Sequence, residues 1–131
     1  MKYFIALVVV LSVFTSCNKK NDHSSLLGSW TCEEWPEITT PSTYQISIRR
    51  DDASKDTNQY LITNFYKLGL DLQNEVHFYE STTGELIINQ QTVGNISVSG
   101  TGTYNDDYSK IEWNYEINTG DLNEKVKANY Y

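Results

Sequence analysis

Hydrophobic and polar residues alternate with a period of two along most of the chain. The alternation is clearest towards the C-terminus. Three segments there carry apolar or small residues at every second position: Ile96, Val98, Gly100, Gly102 and Tyr104; Ile111, Trp113, Tyr115 and Ile117; Val126, Ala128 and Tyr130. Because successive side chains of a β-strand point to opposite faces, this pattern predicts three strands that each bury one face.

Five further strands are predicted upstream, at about residues 28–35, 44–50, 59–68, 75–81 and 85–93. The third is almost continuously apolar, so its buried face stays open. Short strands joined mainly by tight turns, with no helix signal among them, indicate an antiparallel meander. Such a chain closes into an up-and-down barrel or folds as a sandwich. Gly100 and Gly102 favour the barrel, because missing side chains let a sheet coil or make room for a neighbouring ring. We therefore predict an all-β, eight-stranded antiparallel up-and-down barrel.

The N-terminal residues have a different pattern. Lys2 precedes twelve apolar residues, 3–14, which as a helix would rise about 18 Å, short of the roughly 30 Å hydrocarbon core. This predicts a signal peptide, residues 1–16, rather than a transmembrane helix. Thr15-Ser16-Cys17 resembles a bacterial lipobox, which implies that Cys17 is diacylated and becomes the mature N-terminus. The polar residues 17–25 then form a flexible tether, in which His23 has no expected role.

The charge of the chain limits its partners. The formal charge is −7, and it is −8 without residues 1–16, which hold Lys2 as their only charged side chain. An acidic balance argues against nucleic acid and against adhesion to an anionic lipid surface, both of which require clustered Lys or Arg. Keeping a secreted domain soluble is sufficient reason for such a charge.

A family resemblance rests on four stretches. Leu27-Gly28-Ser29-Trp30 resembles the Gly-x-Trp opening of lipocalin-like (calycin) barrels. Residues 61–69, 91–93 and 99–103 are similar to a group of small lipocalin-like lipoproteins of Gram-negative bacteria. The resemblance covers roughly residues 26–131. It implies a barrel anchored to the outer membrane, on the periplasmic face or the cell surface, and it implies no settled activity.

The same resemblance implies roles for single residues. Trp30 would close one end of the barrel and pack against a basic residue of a late strand, either Lys125 or Lys127. Related chains often carry a second cysteine near the last strand, and this chain does not, so Cys32 has no disulfide partner. Independently of the family, an inward Cys32 beside Trp30 is most simply a small buried apolar residue.

No catalytic constellation is visible in the sequence. Glu33-Glu34 and Asp106-Asp107 are adjacent pairs, and neighbours on a strand point to opposite faces, so neither pair is a ready dyad. The acidic turns at residues 51–52 and 106–107 fit solvated turns better than a weak calcium site. His77 faces either the lumen or, more often for such a residue, the surface. We expect no enzyme activity, no cofactor and no metal.

The main functional question concerns the aromatic residues predicted to face inward: Trp30, Tyr44, Tyr60, Tyr104, Trp113, Tyr115 and Tyr130. An eight-stranded barrel is just wide enough to be filled by side chains or to hold one small ligand. We expect a monomeric, lipid-anchored, non-enzymatic binding protein of the cell envelope that holds a small apolar ligand among these rings or binds a surface partner. The alternative is an envelope inhibitor of a protease or lysozyme that acts through its loops, with residues 33–43 as the segment to test.

Overall fold

The computed structural model describes residues 23–131, which form eight antiparallel strands and two short 3₁₀ helices. The strands are β1 (Gly28–Pro36), β2 (Ser42–Arg50), β3 (Gln59–Thr63), β4 (Val76–Glu80), β5 (Leu86–Val93), β6 (Ile96–Tyr104), β7 (Ile111–Asn118) and β8 (Asn123–Tyr130). Each strand pairs with the next, and β8 pairs with β1. This confirms the all-β up-and-down barrel and excludes the sandwich. The predicted signal peptide, residues 1–16, and the predicted lipidation site, Cys17, lie outside the described residues.

The predicted alternation is realised most regularly in β7 and β8, where buried and exposed residues alternate along almost the whole strand. Large and small side chains complement each other across these strands. Trp113 pairs with Gly102 on one side and with Ala128 on the other. Tyr115 likewise lies beside Gly100. Interdigitation of this kind fills a narrow barrel without voids.

The two inward glycines of β6 make room for neighbouring aromatic residues, which is the second of the two roles predicted for them. A Cβ atom on Gly102 would stand 2.6 Å from the Trp113 ring, and one on Gly100 would stand 2.5 Å from the Cβ of Tyr115. Carbon atoms do not approach so closely without strain. Glycine is therefore required at both positions because the neighbouring aromatic residues occupy the space.

The prediction for β3 is wrong beyond Thr63. The strand ends there, and the first 3₁₀ helix, Phe65–Lys67, follows. Asn64, Tyr66 and Lys67 have positive φ angles of 62°, 48° and 58°. The apolar run is explained by burial and not by a longer strand, because Phe65 is fully buried among the core residues.

The strands alternate in direction, so the connections collect at two ends. We call one the loop end; it holds residues 37–41, 64–75, 94–95 and 119–122. We call the other the entry end, because β1 begins there; it holds the turns 51–58, 81–85 and 105–110. The second 3₁₀ helix, Leu72–Asn74, lies at the loop end.

The segment before β1 packs against the entry end. The His23 ring stacks on Trp30 with 3.7 Å between ring centroids, and Nε1 of Trp30 donates to the carbonyl of Leu26 at 3.0 Å. His23 thus has a packing role that the sequence did not predict. Trp30 is fully buried, whereas Lys125 and Lys127 are exposed on the outer face of β8. Neither lysine packs on Trp30, so that expectation is wrong, and His23 covers the ring instead.

Within residues 23–131, no helix has the length and apolar character to cross a membrane.

Candidate functional site

The seven aromatic residues predicted to face inward lie on the inner face of the barrel, but they are not equally covered. Trp30, Tyr60, Trp113, Tyr115 and Tyr130 are at most 7% exposed. Tyr44 and Tyr104 are half-buried and pack at the edge of the core. A ligand could reach the five buried rings only by displacing their neighbours.

The buried rings contact one another. Trp113 meets the edge of Phe78 at 5.3 Å and lies 6.1 Å from Tyr130, measured between ring centroids. Phe78 stacks on Tyr60 at 5.1 Å. Among the described residues, Nε1 of Trp113 and the hydroxyl of Tyr130 have no hydrogen-bond partner. The interior is therefore occupied by the rings themselves, which favours the filled barrel over the hollow one.

A buried carboxylate lies among these rings, near the loop end. Glu34 on β1 is 1% exposed and accepts hydrogen bonds from the hydroxyls of Tyr44 and Tyr115. Burial raises the pKa of Glu34, and the two tyrosine hydroxyls and the charge of Lys67 only partly offset this effect. Glu33 faces the other side of the strand, as predicted, so the two glutamates do not form a dyad.

Cys32 lies two residues before Glu34 on the same inner face of β1 and is also fully buried. Burial, with the nearby Glu34 carboxylate, raises the pKa of its thiol far above the ordinary value. Nucleophilic cysteines require the opposite environment, in which positive groups favour the thiolate. Cys32 is therefore a core residue, as predicted.

A second buried carboxylate holds the β1–β2 loop at the loop end. Glu124 on β8 is 2% exposed. Its Oε2 accepts the backbone N–H groups of Ile38 and Thr39 at 3.2 and 3.1 Å. Its Oε1 accepts the hydroxyls of Thr39 and Tyr66 at 2.9 and 2.7 Å. Burial would raise the pKa of Glu124, but these hydrogen bonds outweigh it and lower the pKa.

The adjacent segment, residues 64–75, is also fixed in place. The Asn64 side chain donates to the carbonyl of Gln45 at 2.8 Å and accepts the N–H of Gly69 at 3.0 Å. At the other end of the segment, the Arg49 guanidinium forms two hydrogen bonds to Glu75 and lowers the pKa of that carboxyl. Asn64 tolerates the left-handed conformation better than most residues, which explains its place at this turn.

A cleft of about 280 Å³ separates the β1–β2 loop from this segment. Its lining includes the buried Glu34, with Pro36, Thr39, Thr40, Ser42, Tyr66 and Lys67. Tyr66 bridges the cleft, because its hydroxyl donates to the same Glu124 oxygen that accepts the Thr39 hydroxyl of the β1–β2 loop. Burial and this hydrogen bond raise the pKa of Tyr66 to about 12. The two halves of the loop end are thus joined through one carboxylate.

Large apolar side chains are exposed at the loop end. Ile38 is 63% exposed in the β1–β2 loop, and Leu70 and Leu72 are 78% and 73% exposed in the segment 64–75. Both loops are held by internal hydrogen bonds, so these side chains are presented by ordered backbone. Single exposed apolar residues are common on protein surfaces, and binding residues are found disproportionately on loops, so these three side chains are the candidate partner surface at this end.

The remaining candidates lie on the surface. His77 on β4 points outward, with Nδ1 3.3 Å from Asp51, so it does not face the lumen. The acidic turns at residues 51–52 and 106–107 belong to the entry end. Throughout residues 23–131, no group of three or more His, Cys, Asp or Glu side chains is arranged to hold a metal ion.

Sequence reasoning missed the buried carboxylates Glu34 and Glu124, although a signal for both was present. Glu34 continues the inward series of Trp30 and Cys32, and Glu124 continues that of Val126 and Ala128. An acidic residue at an inward position requires hydrogen-bond partners. Those partners come from strands and loops far along the chain, so only the fold reveals them.

Comparisons with known proteins add little to this geometry. No protein-family model matches the chain, and no curated protein matches it. Among solved structures, the chain is similar to a protein of unknown function from Bacteroides ovatus, with 15% sequence identity and a TM-score of 0.49. The similarity covers 79% of this chain and 40% of that chain, so this chain spans less than half the length of that protein.

Replacing Glu34 by Gln should remove a pH-dependent loss of stability. Because burial raises the pKa of Glu34, the folded state binds its proton more tightly than the unfolded state does. Stability should therefore fall as the pH rises from about 4.3 towards the folded pKa, by up to about 1.4 kcal/mol per pH unit. In E34Q the carbonyl oxygen still accepts the tyrosine hydroxyls, and this fall in stability should be absent.

Urea unfolding across the pH range measures the pH dependence of stability, with E33Q as the matched control. A pH profile of E34Q that equals the wild-type profile would contradict the assignment.

Replacing Glu124 by Gln should loosen the loop end. The oxygen of Gln can still accept the N–H groups of Ile38 and Thr39, while its NH₂ group faces the hydroxyls of Thr39 and Tyr66, which must reorient to accept from it. The charge that strengthens all four hydrogen bonds is lost, so we expect a loss of about 1–2 kcal/mol in the free energy of unfolding. Hydrogen–deuterium exchange should also become faster at the N–H groups of Ile38 and Thr39. The control is D121N in the neighbouring exposed turn. Unchanged exchange at both amides would show that Glu124 does not hold the loop.

Proposed function

We propose that this protein is a lipid-anchored, non-enzymatic binding protein of the bacterial envelope that recognises a partner protein through the loop end of its barrel. The observation that carries this proposal is the exposure of Ile38, Leu70 and Leu72 on ordered loops at one end. The lipidation of Cys17, the outer-membrane location, on the periplasmic face or the cell surface, and a monomeric barrel are parts of the same proposal.

The relative placement of the two ends supports a protein partner over a lipid partner. Cys17 precedes His23 by six residues, so a fully extended chain spans roughly 21 Å at most. An acyl chain on Cys17 would hold the entry end near the membrane, because His23 packs there against Trp30. The loop end then points away from the bilayer. Its apolar side chains would meet other proteins and not the membrane that carries the anchor.

The assignment to the lipocalin-like barrels belongs to this proposal as well. Gly28-x-Trp30 opens the first strand, Trp30 is buried at the entry end, and the eight strands follow in sequential order. Members of that class often bind a ligand inside the barrel. The packed rings of this interior favour the partner over the small apolar ligand.

The inhibitor alternative is supported by the way in which the β1–β2 loop is held. Three hydrogen bonds to Glu124, from the N–H groups of Ile38 and Thr39 and the hydroxyl of Thr39, fix a short loop with Ile38 exposed. A loop fixed before binding loses little conformational entropy when it enters a cleft. An inhibitor would slow a lysozyme or protease of the envelope, and an Ile38→Gly variant would lose that effect.

Photo-crosslinking in intact cells tests the proposal. A photoreactive amino acid is placed at position 70 or 72 at the loop end, or at control position 54 or 56 at the entry end. We expect a discrete crosslinked protein from the loop-end positions, and we expect it to disappear when Ile38 is replaced by Asp. The side chains of Ile38, Leu70, Leu72 and Asp56 are exposed and Ser54 is half-buried in a surface turn, so we expect the fold to be retained; unchanged thermal midpoints check this.

Two results would contradict the proposal. One is a protein crosslink from the entry-end positions only. The other is a crosslink from the loop-end positions to lipid and not to protein, which would place the loops against a membrane.

A further inference from the structure

A surface groove with a volume of about 490 Å³ lies on the outer face of β6, β7 and β8 and reaches Glu37 at the loop end. One row of its lining follows the strand register. Trp35 pairs with Lys127, Lys127 with Asn114, and Asn114 with Thr101. All four side chains are exposed, and Trp35 is 43% exposed although it is a large ring. The register alone therefore places an aromatic face, an ammonium, an amide and a hydroxyl in one line.

A second row runs beside the first. Glu116 pairs with Lys125 on one side and with Ser99 on the other. Glu37 lies at the end of this row, with its N–H bonded to the carbonyl of Lys125 at 3.0 Å. The ion pair between Lys125 and Glu116 is loose, with 3.9 Å between the charged atoms. These groups are therefore available to other partners.

Side-chain length gives the groove its shape. Ser99 and Thr101 on β6 are short and form the low part of the surface, next to Gly100. Trp35 and the long side chains of β7 and β8 rise around them. A volume of about 490 Å³ lies within the range of small-molecule sites, roughly 300–1,000 Å³.

We propose that this groove binds a neutral saccharide. Its charged side chains, two lysines and two glutamates, balance each other in a protein whose formal charge is −7. A phosphate or carboxylate ligand would meet the glutamates, and an amine would meet the lysines. Sugar hydroxyls both donate and accept, so they match a lining that mixes ammonium, carboxylate, amide and hydroxyl groups. The apolar C–H face of a sugar ring packs on an exposed indole, which supplies the orientation.

This site is separate from the proposed partner surface. The groove uses Trp35 and the outer face of β6 to β8, whereas the partner surface uses Ile38, Leu70 and Leu72. Substitutions at the two places therefore report on the two proposals independently.

A glycan array probed with the full-length protein in detergent tests the proposal, with neutral and acidic oligosaccharides of two to six rings. Binding glycans are then titrated by isothermal calorimetry. We expect at least one neutral oligosaccharide to bind, and we expect W35A to weaken its binding by about tenfold or more. W35F keeps a ring and should retain most of the affinity. N114A should weaken binding by roughly fivefold. The control is T103A, which removes an exposed side chain from the same outer face of β6 outside the groove.

Three results would overturn the proposal. They are no binding of any neutral glycan, binding of acidic glycans only, and neutral binding that W35A leaves unchanged. Equal thermal midpoints of W35A and the wild-type protein exclude misfolding as the cause of a loss. Because Trp35 and Asn114 point away from the core, these midpoints are expected to agree.

Discussion

The filled interior of this barrel depends on the packing of Trp113 against Gly102. The indole lies where a side chain of β6 would otherwise be, at a distance that only glycine permits. From that position it contacts both Phe78 and Tyr130 and joins the rings of β4, β7 and β8. An eight-stranded barrel has little interior to spare, and these rings occupy it. The recognition proposed above is therefore placed on the loops or on the outer face.

Two of the three buried carboxylates among the described residues, Glu34 and Glu124, affect stability in opposite directions. Glu34 lies among rings and accepts three hydroxyls, those of Tyr44 and Tyr115 and, at 3.5 Å, that of Ser42. Burial still raises its pKa, so its charge is a cost to the fold at neutral pH. Glu124 receives four hydrogen bonds, and its pKa is lowered, so its charge stabilises the fold above about pH 4.3 and this stabilisation is lost as the pH falls further. The difference between the two pKa shifts comes from the hydrogen-bond donors. A loop supplies backbone N–H groups to Glu124, whereas Glu34 receives only side-chain hydroxyls.

The alternation of residues was sufficient to predict the barrel, since register follows from a period of two. It placed Trp113, Tyr115 and Tyr130 inside. The limit of the method appears at residues 64–67, where an apolar run turns inward as a 3₁₀ helix and not as strand. A local pattern cannot distinguish these two ways of burying Phe65. The surface sites were also beyond the pattern, because Trp35, Lys127 and Asn114 come from three strands and meet only through the pairing of β1, β7 and β8.

The most direct test of a filled interior uses a W35F variant, in which the two remaining tryptophans, Trp30 and Trp113, are both buried. Their fluorescence and the thermal midpoint are recorded with a panel of fatty acids and small aromatic compounds. A filled barrel predicts unchanged emission and an unchanged midpoint across the panel. Saturable quenching, with a gain in stability of about 2.7 kcal/mol at a hundredfold excess over Kd, would show a ligand among the rings and contradict the account.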